Sequence, residues 1–339
     1  MNRWVDQLWR RSARRAGFLA FVAACAGSPA ADTDLAVEPT QTFGDCARAI
    51  DLAQAPPIDD RFVFAPSVLA DPAGGYRMWY AASGGGTAIF HARSADGVAW
   101  GEPELVLPSG TAGRADSFAV ATPNLVAVDG GFVVTYDALG PDPKSRIFRC
   151  TSADGLAFGD CAQVVEPGHV PPYDDTVISG HLVQTDTGWR IYYVGLEPPD
   201  TYRILVADSE DGVGFTDHRL LFDLGAAGDL DRSSAYAPFV DRSADGWRLL
   251  YSGRAPFVLD GQEWLVKRLI EAHSDDGLSW TGFTLVLDLG CEGTWDKARA
   301  DEPWVLPEGD GERLWYDGFD DPLFDVGKRR ILTAFRHLR

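Results

Sequence analysis

The chain has 339 residues, and its 50 aspartates and glutamates against 30 lysines and arginines leave a net charge of −20. So acidic a surface repels polyanions, which excludes nucleic acid and anionic membrane surfaces as partners and leaves neutral glycans and metal cations open. Removing the basic leader described next makes the remainder more acidic still.

Arg10, Arg11, Arg14 and Arg15 precede the apolar run from Gly17 to Ala24, and this order reads as an export signal over residues 1–24. The run is too short to span a bilayer. It ends in Val22-Ala23-Ala24-Cys25, which resembles the bacterial lipobox, a similarity that implies lipidation of Cys25. The alternative is ordinary cleavage with Cys25 incidental. In both cases the expected location is extracytoplasmic. With lipidation it is the cell envelope, at the outer membrane or cell surface, with the lipid anchor as the sole membrane contact. Residues 25–42 are polar, contain Ala and Pro, lack apolar periodicity and read as a flexible tether. Residues 43–339 then form one domain, expected to be a monomer. An oxidising compartment lets Cys46, Cys150, Cys161 and Cys291 pair. Cys150 and Cys161 flank one predicted hairpin and are the expected disulfide, whereas Cys46 and Cys291 are either paired or free.

An internal repeat organises the rest. Ser94-Ala-Asp-Gly-Val-Ala-Trp100, Ser152-Ala-Asp-Gly-Leu-Ala-Phe158, Ser209-Glu-Asp-Gly-Val-Gly-Phe215 and Ser274-Asp-Asp-Gly-Leu-Ser-Trp280 share an Asp-Gly pair followed by an aromatic at a constant offset. The Asp-Gly pair predicts a tight hairpin with positive φ angles. Two strand-like runs precede each turn, one follows, and a further strand opens each unit at Pro66, Pro123, His181, Pro238 and Pro303. Four antiparallel strands per unit and five units predict an all-β, five-bladed β-propeller. The last unit lacks its outermost strand. Phe43-Gly-Asp-Cys-Ala47 matches Phe158-Gly-Asp-Cys-Ala162, so the N-terminal segment is expected to complete the last blade and close the ring.

In such a ring the loops that enter the innermost strands converge at one mouth, where a ligand would bind. Asp59, Asp116, Asp231 and Asp296 each stand seven residues before the strand-opening proline, and Asp174 stands six before Gly180. A residue that recurs in every unit reads first as a turn cap. The departures are more informative: Asp60 and Asp175 double the aspartate, and Asp301-Glu302 immediately precede Pro303. Opposed carboxylates across a mouth suit glycoside hydrolysis, with one protonated to assist the leaving group and one ionised. The candidate catalytic acids are therefore Asp60, Asp116, Asp175, Asp301 and Glu302. His181, Tyr236, Trp304 and Asp231 are the candidate substrate-binding residues, with Trp295 a further ring for stacking. No metal-ligating set is assigned and no cofactor is expected, although the acid cluster has the oxygen ligands for a structural Ca²⁺ in the central channel.

Phe64-Ala-Pro-Ser-Val-Leu69, Gly75-Tyr-Arg-Met-Trp-Tyr80 and Ser94-Ala-Asp-Gly-Val-Ala-Trp100 are similar to the blade repeat of the five-bladed propeller glycosidases. This is the arabinanase, xylosidase and invertase superfamily, including family 43-like enzymes. The resemblance covers nearly the whole chain after the leader and implies a hydrolase that uses two or three acids on the first three blades. Where many members place Asp before the first inner-strand proline this chain has Ala65, and the next two units have Thr122 and Ser179. Only Asp301-Glu302-Pro303 has acids in register. Two readings follow: a glycosidase with an altered acid set acting on a carbohydrate, and a non-catalytic glycan-binding or structural surface lipoprotein.

Overall fold

The computed structural model describes residues 42–52, 62–83, 86–110, 115–243, 246–259, 261–321 and 327–338. The expected leader, the tether, Cys25, Asp59 and Asp60 lie outside them. Among the described residues the regular structure is all β, apart from one short 3-10 turn at Gly228–Leu230.

The strands pair as antiparallel meanders in chain order. The first meander is β2 (Phe62–Ala70), β3 (Tyr76–Ser83), β4 (Thr87–Ser94) and β5 (Glu104–Leu107). The second is β6 (Ala119–Val128), β7 (Gly131–Leu139), β8 (Ser145–Ser152) and β9 (Gly159–Val165). The third is β10 (Val177–Thr185), β11 (Gly188–Glu197), β12 (Thr201–Ser209) and β13 (Thr216–Leu220). The fourth is β14 (Ser234–Ser243), β15 (Gly246–Leu259), β16 (Gln262–Ser274) and β17 (Thr281–Leu287). The fifth comprises β18 (Arg299–Glu308), β19 (Gly311–Phe319) and β20 (Arg329–His337), and β1 (Gly44–Ile50) pairs with β20 as its outer strand. A strand from the start of the sequence thus covers an edge that would otherwise present unpaired amides.

The first strand of each meander lies against the first strand of the next: β2 on β6, β6 on β10, β10 on β14, β14 on β18, and β18 on β2. Apolar side chains fill the spaces between meanders. Met78, Tyr80, Trp315 and Leu332 sit in one such cluster, and Ile191, Tyr193, Leu205 and Val177 in another. Burial of this kind contributes roughly 25 cal/mol per Å² of apolar surface.

The turns between third and fourth strands differ from the expected two-residue hairpins. Nine residues separate β4 from β5, and among the four Asp-Gly pairs only the glycines, Gly97, Gly155, Gly212 and Gly277, have positive φ. The cause is the aspartate. Asp96 Oδ1 accepts the amides of Val98 at 2.9 Å and Ala99 at 2.8 Å, while Ser94 Oγ accepts the amide of Gly97 at 2.8 Å. Asp154, Asp211 and Asp276 do the same in their units. Side-chain acceptors take the amides that a tight hairpin would have given to the ladder.

Three of these glycines, Gly97, Gly155 and Gly277, let their turns approach the preceding meander. Trp79 Nε1 donates to Gly155 O at 2.6 Å, Trp315 Nε1 to Gly97 O at 2.8 Å, and Tyr192 Oη to Gly277 O at 2.8 Å. A Cβ on Gly155 would lie 2.7 Å from the Trp79 ring, so a side chain there would break the contact. Two disulfides complete the framework, Cys150–Cys161 and Cys46–Cys291, with Cα separations of 4.1 and 5.7 Å. The second fastens β1 to the segment after β17.

Candidate functional site

Every first strand carries a bulge at the same place. The pairing slips between Phe64 and Ser67, Ala121 and Asn124, Ile178 and His181, Tyr236 and Phe239, and Asp301 and Trp304. Within each slip one non-glycine residue is left-handed: Ala65 at φ 55°, Thr122 at 46°, Ser179 at 52°, Ala237 at 46° and Glu302 at 53°. Four of these precede a proline, which disfavours helical backbone in the residue before it. Left-handed backbone costs a non-glycine residue about 1–2 kcal/mol. Bulges of this kind re-aim side chains and cluster near functional sites. Here all five point at one cavity of about 40 Å³. A water needs roughly 10–15 Å³, so the cavity has room for water but not for a ring-sized ligand.

Among the described residues that line this cavity, Glu302 is the only acid. Its Oε2 accepts Arg329 Nη2 at 2.9 Å, and the same guanidinium bonds Asp317 Oδ2 at 2.8 and 2.6 Å. Burial pushes the Glu302 carboxyl well above the usual carboxylate range, and the neighbouring Asp317 adds to the rise against the pull of Arg329. With one cation shared by two buried carboxylates, the protonated form of Glu302 is favoured. Asp301, the next residue back, does not line the cavity. It pairs with Lys267 Nζ between the fourth and fifth meanders, where Lys267 also stands 3.5 Å from the centre of the Tyr236 ring. Burial alone would raise the Asp301 carboxyl, but Lys267 and Arg329 outweigh it and hold it low.

His181 lines the cavity and is fully engaged. Its Nε2 donates to Val240 O at 2.8 Å and its Nδ1 meets the Asn124 amide at 3.0 Å, so the ring ties together the second, third and fourth meanders. Burial lowers its pKa to about 4 and keeps it neutral. Trp304 also lines the cavity, its ring 5.5 Å from His181, and its buried indole N–H meets no acceptor among the described residues. The Thr122 hydroxyl is likewise buried without a partner. These two groups, which sequence reasoning weighed only as aromatic surface in one case and as a missing acid in the other, are free to bond water or a ligand hydroxyl.

The other candidates lie elsewhere. Asp231 is buried against the Ala227 amide at 3.2 Å and the Tyr251 hydroxyl at 2.7 Å, so it caps its own loop. Asp174 accepts three amides, those of Gly168, His169 and Val170, and Asp296 accepts those of Glu292 and Gly293 plus the Tyr316 hydroxyl. Asp116 is buried with its carboxylate against Gly110. Asp175 is exposed and paired with Lys144 at 2.8 Å. Tyr236 is buried, its ring 4.6 Å from that of Tyr202. Asp60 lies outside the described residues.

Sequence reasoning missed Asp137 and Asp317. Both follow the tyrosine present in every second strand, Tyr136 and Tyr316, where the other meanders have Ala81, Val194 and Ser252. Asp137 accepts the Ser179 amide at 2.8 Å, and burial raises its pKa well above normal. The signal was a break in the repeat of the second strand, a position not compared across units. Among the described residues no group of three or more His, Cys, Asp or Glu is placed to hold a metal ion, so the Ca²⁺ expectation finds no ligand set there.

Compared by sequence, the chain matches no family, and no curated protein matches it. Compared by structure, it is similar to a glycoside hydrolase at 14% identity, with a TM-score of 0.67 over 88% of this chain and 93% of the other. A β-1,2-mannobiose phosphorylase from Listeria innocua, in complex with β-1,2-mannobiose, has a TM-score of 0.63 at 12% identity over 86% and 97% of the two chains. A thermostable family-43 glycoside hydrolase has a TM-score of 0.57 at 18% identity over 81% and 91%. The chain has the fold of the propeller glycosidases.

Proposed function

We propose that the chain is a five-bladed β-propeller that acts on a glycan at the mouth of its central cavity, with Glu302 as the proton donor. The cycle of contacts among the five first strands and the pairing of β1 with β20 support the five-bladed reading. The observation that carries the chemical reading is the Glu302 carboxyl: it lines the cavity, is held at a strained bulge and has its pKa raised by burial beside Asp317. A carboxylic acid that keeps its proton near neutral pH is what protonation of a glycosidic oxygen requires. Hydrolysis then needs a second, ionised carboxylate to activate water or attack the sugar carbon. We assign that role to Asp60, which stands two residues before β2 in the sequence. The unpartnered Trp304 N–H and Thr122 hydroxyl are the groups that would orient sugar hydroxyls.

A second reading keeps the ligand and removes the turnover. It is favoured by Ala65, Thr122, Ser179 and Ala237, which occupy four of the five bulge positions and leave Glu302 as the single acid among the described residues of the lining. The deciding experiment is a hydrolysis screen of the domain against furanosides, pyranosides and plant and microbial polysaccharides, beside Asp60→Asn and Glu302→Gln. Turnover that drops about 10²–10⁴-fold in Glu302→Gln fits the loss of a general acid. Binding without turnover, unchanged in either variant, would replace the first reading with the second.

For its location we propose export and lipidation at Cys25, supported by the basic-then-apolar leader and the lipobox-like Val22-Ala23-Ala24-Cys25. The protein would act as a monomer at the cell envelope. Mass spectrometry of the mature N-terminal peptide tests this: a diacylglyceryl mass on Cys25 is expected, and an unmodified peptide beginning elsewhere would refute it.

A further inference from the structure

Three junctions between successive meanders share one latch. An arginine and an aromatic of the second strand reach across to the Asp-Gly turn of the following meander: Arg77 and Trp79 to Asp154 and Gly155, Arg190 and Tyr192 to Asp276 and Gly277, and Arg313 and Trp315 around Gly97. Between the second and third meanders the same positions hold Val133 and Thr135. Neither reaches the turn at Gly212. Thr135 Oγ1 instead bonds Gly180 O at 2.7 Å. The three atoms nearest to a Cβ on Gly212 all belong to Trp189, from its own meander, whereas one on Gly155 or Gly277 would meet the arginine of the preceding meander at 3.0 Å.

The missing latch leaves a groove of about 630 Å³ on the face of the 1–2 hairpins, the face away from the bulges. This is within the range of roughly 300–1,000 Å³ typical of ligand sites. Trp189, Val133, Arg149, Thr151, Asp129 and Gln184 line it, with Val133 buried, Trp189, Arg149 and Thr151 half-buried, and Asp129 and Gln184 exposed. The Arg149 Nε is buried and has no acceptor, so the lining carries an unused donor. An indole face beside a guanidinium, an amide, a hydroxyl and one carboxylate supplies stacking surface together with donors and acceptors for vicinal hydroxyls. A net charge of −20 weighs against an anionic occupant.

The geometry points to a second, non-catalytic site in this groove for a neutral sugar ring of a glycan chain, stacked on Trp189 and bonded by Arg149, Asp129 and Gln184. The ligand class rests on the carbohydrate reading above; the site does not depend on Glu302. A glycan held on this face would keep the protein on its polymer while the mouth is free to engage a chain end.

The test is affinity electrophoresis of the full mature chain in gels containing arabinan, xylan, mannan or mixed-linkage β-glucan, comparing the unaltered protein with Trp189→Ala, Val133→Arg and Glu302→Gln. Val133→Arg installs the latch arginine of the other junctions and fills the groove, so it tests the site without hollowing the core, and thermal unfolding verifies that it folds. Expected is retardation by at least one neutral polymer that weakens about tenfold or more in Trp189→Ala and Val133→Arg and persists in Glu302→Gln. Retardation unchanged in a folded Val133→Arg, or none by any of the four polymers, overturns the inference. Turnover of short soluble substrates is read separately, so loss of hydrolysis in Glu302→Gln bears on the proposed chemistry and loss of retardation in Val133→Arg bears on the groove.

Discussion

The fifth meander and the other four share a backbone and differ in what they hang on it. All five bulges have the same left-handed residue, yet four present alanine, threonine or serine to the cavity and the fifth presents Glu302. One residue earlier, Phe64, Ala121, Ile178 and Tyr236 fill space between meanders, and the fifth has Asp301 bound to Lys267. At the opposite end four meanders carry the Asp-Gly turn. The fifth has none, and the place is taken by an ionic network in which Arg248 bonds Asp241 and Glu312 while Arg336 bonds Glu312 and Glu271. The repeat therefore fixes geometry at a position and leaves its chemistry to vary. Where apolar packing is replaced by charge, the charges come in pairs, because an unpaired buried ion is costly.

That comparison is broken most forcefully at Lys267. Lys267→Met strips Asp301 of its cation and is expected to cost about 3–5 kcal/mol in chemical denaturation. Adding Asp301→Phe, which makes the fifth meander resemble the first at that position, should recover most of the loss. A double variant as unstable as the single one would show that the pair is more than a substitute for packing.

The joint between the two ends of the sequence comes next. Cys46–Cys291 closes a span of 245 residues, and replacing both cysteines by serine should cost about 2–5 kcal/mol, read as a lower unfolding midpoint. The Cys150–Cys161 bridge, which spans 11 residues within one hairpin, should matter less.

A smaller effect separates the capped turns from the uncapped fifth. Asp276→Ala removes an acceptor of two amides and should cost about 1–2 kcal/mol by thermal unfolding. Backbone amides hold Asp276 at about 2, and Asp96, Asp154 and Asp211 are lowered for the same reason. A depressed carboxyl stabilises above its unfolded value and loses that contribution as pH falls through its folded value. These turns should therefore loosen between about pH 4 and pH 2, and Asp276→Ala should flatten that part of the profile.

Glu302 has the reverse sign and the smallest expected effect. Its raised pKa contributes stability below the unfolded value near 4.3 that is lost as pH rises through the folded one. Glu302→Gln should leave the midpoint at pH 4 nearly unchanged and raise it by a few degrees at pH 8. A lower midpoint at pH 8 would mean that the ion pair with Arg329, and not the proton, governs this residue.

Much of the fold was legible because its signals are local and repeated. The Ser-x-Asp-Gly segments, the strand that opens each unit and the match of Phe43–Ala47 to Phe158–Ala162 each needed only a comparison of the sequence with itself. Side-chain partners were less legible. That Glu302 faces the cavity while Asp301 faces Lys267 depends on a one-residue slip in strand register, which turns neighbouring side chains to opposite sides. The pairing of Glu302 with Asp317 and Arg329 joins residues 15 and 27 positions away, with no periodicity to announce it. The empty latch at Val133 was readable in the alignment of the second strands. Its meaning was not, since a missing arginine becomes a groove only once the facing turn is in place.

The Cys46–Cys291 bond also has a mechanical side. Tension applied to the N-terminal end of the chain meets the buried Phe43, whose amide donates to Val286 O at 2.8 Å, and three residues later a covalent bond passes it to Cys291. The remainder of β1, from Ala47 to Ile50, is shielded from that load and cannot be unzipped from β20 one hydrogen bond at a time. A pull from the N-terminal side therefore loads the segment between the fourth and fifth meanders. The strand that joins the two ends of the sequence stays in place for as long as the bond is oxidised, so the redox state of one cystine sets how the domain answers force.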